Sequence, residues 1–390
     1  MRNKEMLLIP GPTPVIDEIY DALASETYGH TDPRFVETYK QGISLTRQMF
    51  NTDGEVFVVA GSGTLAMEIA VVNTVAPGEK LLVVSQGYFG DRFAPLAKAF
   101  GIRVETLQAE WGKRVDPQAI AAKLAEGGFK AVTVTHVDTS TGVMSDVAAL
   151  VPIVKRAGAL FILDGVCATA GIEEDMGKEY GAPGYKIDVV LTGSQKAIGV
   201  PPGLAIVAFG PAALAARDAM ERVPAYYADI KNWLPIMRDP SKYFATPAVN
   251  MVYAYTKGME LVMAEGLAKR YARHAAYGKA VRAALATYGM KALAAEADAA
   301  PTLTCVLYPQ GVDDVTFRKM LAGKGMVVAG ALAALAGKAF RIGHMGNSTP
   351  EMLTRAVALI GETLREMGLA ADADAAVKTF NATYAAAMQG

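Results

Sequence analysis

Short apolar runs alternate with helix-like segments through residues 55–209. The runs that predict strands are Glu55–Ala60, Lys80–Ser85, 103–107, 131–137, 160–163, 188–191 and Leu204–Phe209. Most are rich in Val, Ile and Leu without strict alternation, as expected for strands that are covered on both faces. Helix-like segments lie between them, for example at 64–75, 91–100, 117–126 and 148–157. The alternation predicts an α/β fold with a mostly parallel sheet of seven strands.

The alternation of apolar runs and helix-like segments ends near residue 250. The later patterns predict a smaller α+β unit with a long helix over 250–288, strands at 302–308 and 339–342, and helices at 315–323 and 350–367. A chain of 390 residues is too long for one simple core. We therefore expect an N-terminal arm at 1–20, a large domain at 21–250 and a small domain at 251–390. The small domain includes the long connecting helix and an alanine-rich tail to which the sequence assigns no role.

Composition excludes several classes of function. The 38 basic and 39 acidic residues nearly balance, which argues against a nucleic-acid or anionic-membrane surface. No apolar run approaches the roughly 18 residues of a membrane span, and the N-terminus does not resemble a signal peptide. Cys167 and Cys305 lie far apart, so they form no metal-ligand pair and fit a reduced compartment. We expect a soluble cytoplasmic protein without a metal site.

Lys196 stands at the end of an apolar β-type run, 187–195, that closes in small polar residues. The residues that follow are too rich in Pro and Gly to continue a helix. A partly desolvated lysine loses its proton readily and then attacks carbonyl groups, which is Schiff-base chemistry. The alternative is an ordinary surface lysine just past a strand.

A glycine-rich turn lies between a predicted strand and a predicted helix, at Gly61-Ser62-Gly63-Thr64. Helix N-termini bind phosphate well, and glycines let an anion approach the backbone. The turn also fits the loose dinucleotide pattern G-x-G-x-x-A. That pattern needs an acidic residue at the end of the next strand, and the chain has Ser85-Gln86 there. A nicotinamide cofactor is therefore disfavoured, while a merely tight turn stays open.

Other polar groups lie at strand ends or within strands. Asp164 ends a strand and either pairs with a cation or a protonated ring nitrogen, or caps the next segment. The cluster 139–142 supplies hydroxyl groups, although such clusters usually form turns. His136 lies in an apolar run, which favours a satisfied core residue over a base. Arg341 interrupts a later strand and either clamps a carboxylate or forms a structural ion pair.

Taken together, these motifs resemble the fold-type I pyridoxal-phosphate enzymes. They are most similar to the class V aminotransferase family, which includes alanine–glyoxylate and serine–pyruvate aminotransferases. The resemblance covers about residues 8–364. Its marks are Pro10-Gly11-Pro12, Gly61-Ser62-Gly63 with Glu68, Thr139-Ser140-Thr141-Gly142, Asp164, Gly193-Ser194-Gln195-Lys196, Pro201-Pro202-Gly203, Thr246-Pro247 and Arg341-Ile342-Gly343.

The resemblance implies a role for each matching residue. Lys196 would hold pyridoxal 5'-phosphate (PLP) as an internal aldimine, and Asp164 would keep the pyridine nitrogen protonated. Arg341 would bind the α-carboxylate of the substrate, with Gly11 close by. The other implied cofactor contacts are Ser62, Gly63, Thr64, Gln195 and Thr139, the stacking aromatic Phe89, and Tyr243 and Thr246 from the neighbouring subunit of a homodimer. Thr64 departs from the members that have histidine there.

The implied reaction is a ping-pong transamination between a small amino acid, alanine or serine, and a small 2-oxo acid, glyoxylate or pyruvate. Aspartate is an alternative donor. Another PLP reaction on the same fold, such as that of a cysteine desulfurase, needs a mobile nucleophilic cysteine, which neither Cys167 nor Cys305 resembles. A protein that binds PLP without catalysis is a further alternative, and a dehydrogenase comes last.

Overall fold

The structure is a computed structural model that describes residues 5–389. Its strands are β1 Met6–Leu7, β2 Glu55–Ala60, β3 Lys80–Ser85, β4 Arg103–Gln108, β5 Phe129–Thr135, β6 Val137–Asp138, β7 Val143–Met144, β8 Leu160–Asp164, β9 Val189–Gly193, β10 Leu204–Phe209, β11 Lys291–Ala292, β12 Leu303–Leu307, β13 Met326–Val327, β14 Ala329–Gly330 and β15 Ala339–Gly343. Its helices are α1 Asp17–Leu23, α2 Pro33–Met49, α3 Gly63–Val72, α4 Tyr88–Asp91, α5 Phe93–Ala99, α6 Pro117–Ala125, α7 Val147–Arg156, α8 Pro211–Asp218, α9 Ile230–Arg238, α10 Val249–Glu265, α11 Leu267–Ala286, α12 Asp314–Gly323, α13 Pro350–Glu366 and α14 Ala373–Gln389.

The larger sheet has seven strands in the order β2-β10-β9-β8-β5-β3-β4. The pairs from β9 through β4 are parallel, and β10 runs antiparallel to both β9 and β2. β8, β9 and β10 are fully buried, which explains their continuous apolar sequences. This architecture confirms the predicted α/β fold with a mostly parallel sheet.

The strand predicted over 131–137 is shifted in the structure. β5 ends at Thr135, and the N–H of His136 donates to the carbonyl of Asp164 at 2.9 Å. The chain then forms the small antiparallel pair of β6 and β7. This departure from the sheet turns residues 138–142 toward the carboxyl ends of the parallel strands.

A four-stranded antiparallel sheet, β11-β12-β15-β14, forms the centre of the smaller unit. A second hydrophobic core, with Leu285, Phe317, Phe340 and Ile360, packs between this sheet and its helices. The alanine-rich tail forms α14, which packs on α11 and α13, and Tyr384 stacks on Tyr277 at a ring distance of 5.4 Å.

The helix predicted over 250–288 is two helices, α10 and α11. The chain breaks at Gly266, whose φ of +84° lies outside the helical region and suits glycine. Side chains of α10 such as Tyr255 pack in the larger core, whereas Tyr277 of α11 packs in the smaller one. The domain boundary at residue 250 stays a prediction.

The N-terminal arm crosses between the two cores. β1 pairs in parallel with β13, and the N–H of Gly343 donates to the carbonyl of Leu8 at 2.7 Å. The arm then passes Lys196, since the N–H of Thr13 donates to the carbonyl of Gln195 at 3.0 Å. Among the helices within residues 5–389, none is long and apolar enough to cross a membrane.

Candidate active site

One cleft opens where the carboxyl ends of β8 and β9 face the N-terminus of α3. This is the edge at which open α/β sheets bind ligands. The cleft is lined by Ser62, Gly63, Thr64, Met67, Phe89, Arg92, Val137, Thr139, Asp164, Val166, Gln195 and Lys196. The structure therefore brings together most of the cofactor-contacting residues that the resemblance implies.

Lys196 is buried at the base of this cleft. Its Nζ donates to the carbonyl of Pro10, and its own carbonyl accepts from Oγ1 of Thr13 at 2.8 Å. Gly11, with φ of +101°, lies directly against the lysine side chain, so a β-carbon there would overlap it. Burial lowers the pKa of the Lys196 amine, and the positive charge of Arg341 lowers it further. A larger neutral fraction makes this amine a better nucleophile and base.

Asp164 is the last residue of β8 and is only 3% exposed. Its Oδ1 accepts the N–H of Val166 at 2.9 Å. Burial raises the pKa of this carboxyl to about 7, and the charges of Asp138 and Glu174 raise it as well. Within residues 5–389, no side chain forms an ion pair with Asp164. A buried carboxyl in this state fits a protonated ring nitrogen as its partner.

Two further observations indicate that the cleft binds a ligand. The buried Oε1 of Gln195 has no hydrogen-bond partner among the described residues, which is costly unless a ligand supplies one. At the other side, Ser62 makes no side-chain cap on α3, and the first turn carries no acidic residue. The backbone N–H groups in the first turn of α3 are therefore available to bind an anion. With the amine of Lys196 and the carboxyl of Asp164, these residues fit PLP.

Arg341 lies on β15, in the smaller sheet, and reaches the larger one. Its Nε donates to the carbonyl of Gly330 at 3.0 Å, and its Nη1 donates to the carbonyl of Thr139 at 3.3 Å. In the part of the chain that the structure describes, no carboxylate pairs with it. Arg341 therefore does not form the structural ion pair that was the alternative, and its guanidinium can bind a substrate carboxylate.

Tyr243 and Thr246 do not line this cleft. Tyr243 is 62% exposed, its hydroxyl lies 3.3 Å from Oγ1 of Thr246, and its ring contacts His30 at 5.1 Å. Within one chain these two residues therefore lie on the surface.

His136 behaves as predicted for a core residue. It is buried, and its Nδ1 lies 2.7 Å from Oε1 of Glu174, which is also buried. The Oε2 of Glu174 accepts in turn from the hydroxyl of Thr169 at 2.6 Å. These contacts hold both side chains in the core, and neither residue lines the cleft.

Asp138, which no sequence motif marked, fixes the turn that carries Phe89. Its Oδ2 accepts the N–H groups of Phe89 at 3.1 Å and Gly90 at 3.0 Å, while Oδ1 accepts the hydroxyl of Ser140 at 2.6 Å. The signal was present, since Asp138, like Asp164, follows an apolar run at the same edge of the sheet. Arg92 was missed as well, because it lies in a helix-like segment without a motif.

Comparison with known proteins agrees with this site. The family model described as aminotransferase class-V matches residues 14–344. The chain is 34% identical to alanine–glyoxylate aminotransferase 1 of Saccharomyces cerevisiae, over 88% of this chain and 93% of that protein. It is 31% identical to serine–glyoxylate aminotransferase of Methylorubrum extorquens, over 91% of this chain and 90% of that protein.

A solved structure shows the same fold over nearly the whole length. Ureidoglycine–glyoxylate aminotransferase of Bacillus subtilis matches with a TM-score of 0.90 and 27% identity, covering 98% of each chain. The chain therefore belongs to the class V aminotransferase family and is a PLP-dependent aminotransferase of fold type I.

Proposed function

We propose that this enzyme transfers the amino group of a small amino acid, alanine or serine, to glyoxylate or pyruvate. The observation that carries the proposal is the meeting of the Lys196 amine and the Asp164 carboxyl in one buried cleft. The relatives described above are named for amino transfer between alanine, serine or ureidoglycine and glyoxylate, which supports a small donor and this acceptor.

Asp164, Arg341 and Lys196 each have a separate role in the reaction. Bound PLP supplies an aldehyde and a ring that accepts electrons. The carboxylate of Asp164 holds a proton at the pyridine nitrogen. The guanidinium of Arg341 binds the α-carboxylate of the amino acid and orients its Cα–H bond. The amine of Lys196, whose pKa burial lowers, takes the proton from Cα.

A cysteine desulfurase is a poorer fit to the structure. Cys167 and Cys305 are each only 1% exposed, and burial raises the pKa of both thiols, that of Cys305 to about 12. A desulfurase needs a mobile thiolate. Activity that survives the double variant Cys167→Ala/Cys305→Ala would exclude this alternative.

Initial rates test the choice of substrates. Alanine, serine and aspartate are each supplied as donor, with glyoxylate or pyruvate as acceptor. The highest kcat/KM is expected with alanine or serine, and double-reciprocal plots at several fixed acceptor concentrations should be parallel, as a ping-pong mechanism requires. A strong preference for aspartate would show that aspartate is the amino donor, and not alanine or serine. Intersecting lines would contradict the ping-pong mechanism.

Replacing Arg341 with methionine should mainly weaken substrate binding. A charge-assisted, bidentate contact with a carboxylate is worth roughly 1.5–3 kcal/mol. We therefore expect KM for the amino acid to rise about 10- to 100-fold, with Arg341→Lys in between. Steady-state kinetics with each donor provide the measurement. An unchanged KM for every donor would remove Arg341 from the substrate site.

We also propose that the protein acts in the cytoplasm as a homodimer with shared active sites. The support for the dimer is a cluster of aromatic side chains beside Tyr243, of which Tyr226 and Tyr227 are exposed. In that cluster Tyr226 is 78% exposed, and Phe244 contacts the rings of Tyr226, Tyr227 and Trp233. Aromatic residues are enriched at protein interfaces, and a twofold axis would carry Tyr243 and Thr246 to the partner.

Subunit mixing tests the shared site. The single variant Lys196→Ala and the double variant Tyr243→Ala/Thr246→Ala should each be nearly inactive. Subunit exchange gives hybrid dimers in which one site has the wild-type Lys196 and, from the other chain, wild-type Tyr243 and Thr246. Roughly a quarter of wild-type activity should then return, since half of the dimers carry one intact site. No recovery, despite proven exchange, would mean that these residues act within their own chain or elsewhere.

A further inference from the structure

Arg92 lines the same cleft as Lys196, although no sequence motif marks it. It follows α4 directly and precedes α5. Its Nη1 donates to Oγ1 of Thr64 at 3.3 Å. The centre of its guanidinium also lies 5.0 Å from the centre of the Phe89 ring. These two neighbours place a positive charge beside the first turn of α3.

The charge of Arg92 is not neutralised within residues 5–389. The adjacent Asp91 is occupied, because its Oδ1 accepts the hydroxyl of Ser85 at 2.6 Å and the amide of Gln108 at 2.8 Å. The carboxylate of Asp138 is committed to the backbone of Phe89 and Gly90 and to Ser140. No other described carboxylate forms an ion pair with Arg92. An arginine that lines a cleft without an ion-pair partner can bind an anion.

The neighbouring helix terminus favours the same kind of ligand. The first turn of α3 begins at Gly63 and carries neither an acidic residue nor a side-chain cap. Its N–H groups and the positive end of the helix dipole attract phosphate. Thr64, whose hydroxyl Arg92 contacts, is the second residue of this turn. The guanidinium and the helix terminus thus present positive charge to one part of the cleft.

We propose that Arg92 binds the phosphate group of PLP, together with Thr64 and the N-terminus of α3. The inference rests on the membership of this chain in a PLP-dependent family. Thr64 has a short neutral side chain and brings no positive charge of its own to this part of the cleft. The adjacent guanidinium of Arg92 supplies the charge that a phosphate dianion needs, and the Phe89 ring holds it in place.

Apoprotein titrations with PLP and with pyridoxal, which lacks the phosphate, test this role. Absorbance follows the uptake of each ligand by the wild type, Arg92→Met and Arg92→Lys. In Arg92→Met the affinity for PLP should fall roughly 10- to 100-fold, while that for pyridoxal should change less than about twofold. Arg92→Lys should lie in between. Arg156→Met, which removes an exposed arginine at the end of α7, is the matched control and should bind both ligands normally.

Competition by inorganic phosphate gives a second readout, which does not depend on catalytic activity. It should slow PLP uptake by the wild-type apoprotein and have a weaker effect on Arg92→Lys, even if Arg92→Met does not fold. Equal losses for PLP and pyridoxal, or no loss for either, would overturn the proposal. So would a raised KM for aspartate with unchanged PLP affinity, because Arg92 would then bind a substrate carboxylate. If the wild type took up no PLP, the cofactor assignment itself would fail.

Discussion

Replacing Lys196 with alanine is expected to lower kcat for transamination by at least about 10⁴-fold. The variant loses the amine that attaches the cofactor and the base that moves the α-proton. Neither loss has a substitute nearby. Within residues 5–389, Arg92 is the only other basic residue that lines the cleft, and Arg341 acts on Lys196 through its charge. Arginine stays protonated near neutral pH and is a poor base.

The absorption spectrum separates this chemical role from a loss of folding. Lys196→Ala should still take up PLP but should lack the yellow band of lysine-bound cofactor, and dialysis should remove the cofactor. Lys269→Ala, at an exposed lysine of α11, should match the wild type in colour and rate. More than a tenth of wild-type activity in Lys196→Ala, at an unchanged thermal midpoint, would contradict the assignment of this lysine.

Replacing Asp164 with asparagine is the second large effect that we expect. Asparagine keeps the size of the side chain and can still accept the N–H of Val166, but it carries no negative charge. Breaking a buried ion pair costs roughly 3–5 kcal/mol. If the protonated ring nitrogen is the partner of Asp164, kcat should fall roughly 10²- to 10⁴-fold.

The pH dependence of the Asp164→Asn variant identifies the cause. Burial, together with the charges of Asp138 and Glu174, raises the pKa of Asp164 to about 7. A cation at the ring nitrogen would lower this pKa, so the PLP-loaded wild type should keep the carboxylate ionised at neutral pH. The variant should lose rate at all pH values from 6 to 9, with altered cofactor absorbance. Asp53→Asn, at an exposed aspartate, serves as the control. A loss in kcat smaller than about threefold would remove the charge of Asp164 from the reaction.

The sequence predicted the sheet because buried strands follow local rules, whereas the meeting of Asp164 and Lys196 in one site was implied by the family resemblance. Fully buried strands have continuous apolar sequences, and Asp164 and Lys196 come at or just after the carboxyl ends of two such strands. Parallel neighbours bring these ends to one edge, so their proximity follows from strand order. The antiparallel direction of β10 could also be predicted from the sequence. Only the chain between Gly193 and Leu204 joins it to β9, and a parallel crossover generally needs a dozen or more residues.

Tertiary contacts decide the features that the sequence did not predict. The apolar pattern over 250–288 continues through Gly266, so the division of this helix becomes visible only where α10 and α11 pack against different cores. Arg92 is one polar residue in a helix-like segment, and its role follows from contact with Thr64, which lies far away in sequence. The surface position of Tyr243 likewise depends on the path of the chain after α9.

The visible absorption spectrum of the purified protein shows whether this chain carries PLP and cycles it through both half-reactions. The spectrum is recorded alone, after addition of alanine, serine or aspartate without an acceptor, and again after glyoxylate or pyruvate. A yellow band that one donor bleaches, and that the oxo acid restores, is the result we predict for both half-reactions of a PLP-dependent aminotransferase. A colourless protein that also fails to take up added PLP would contradict the account.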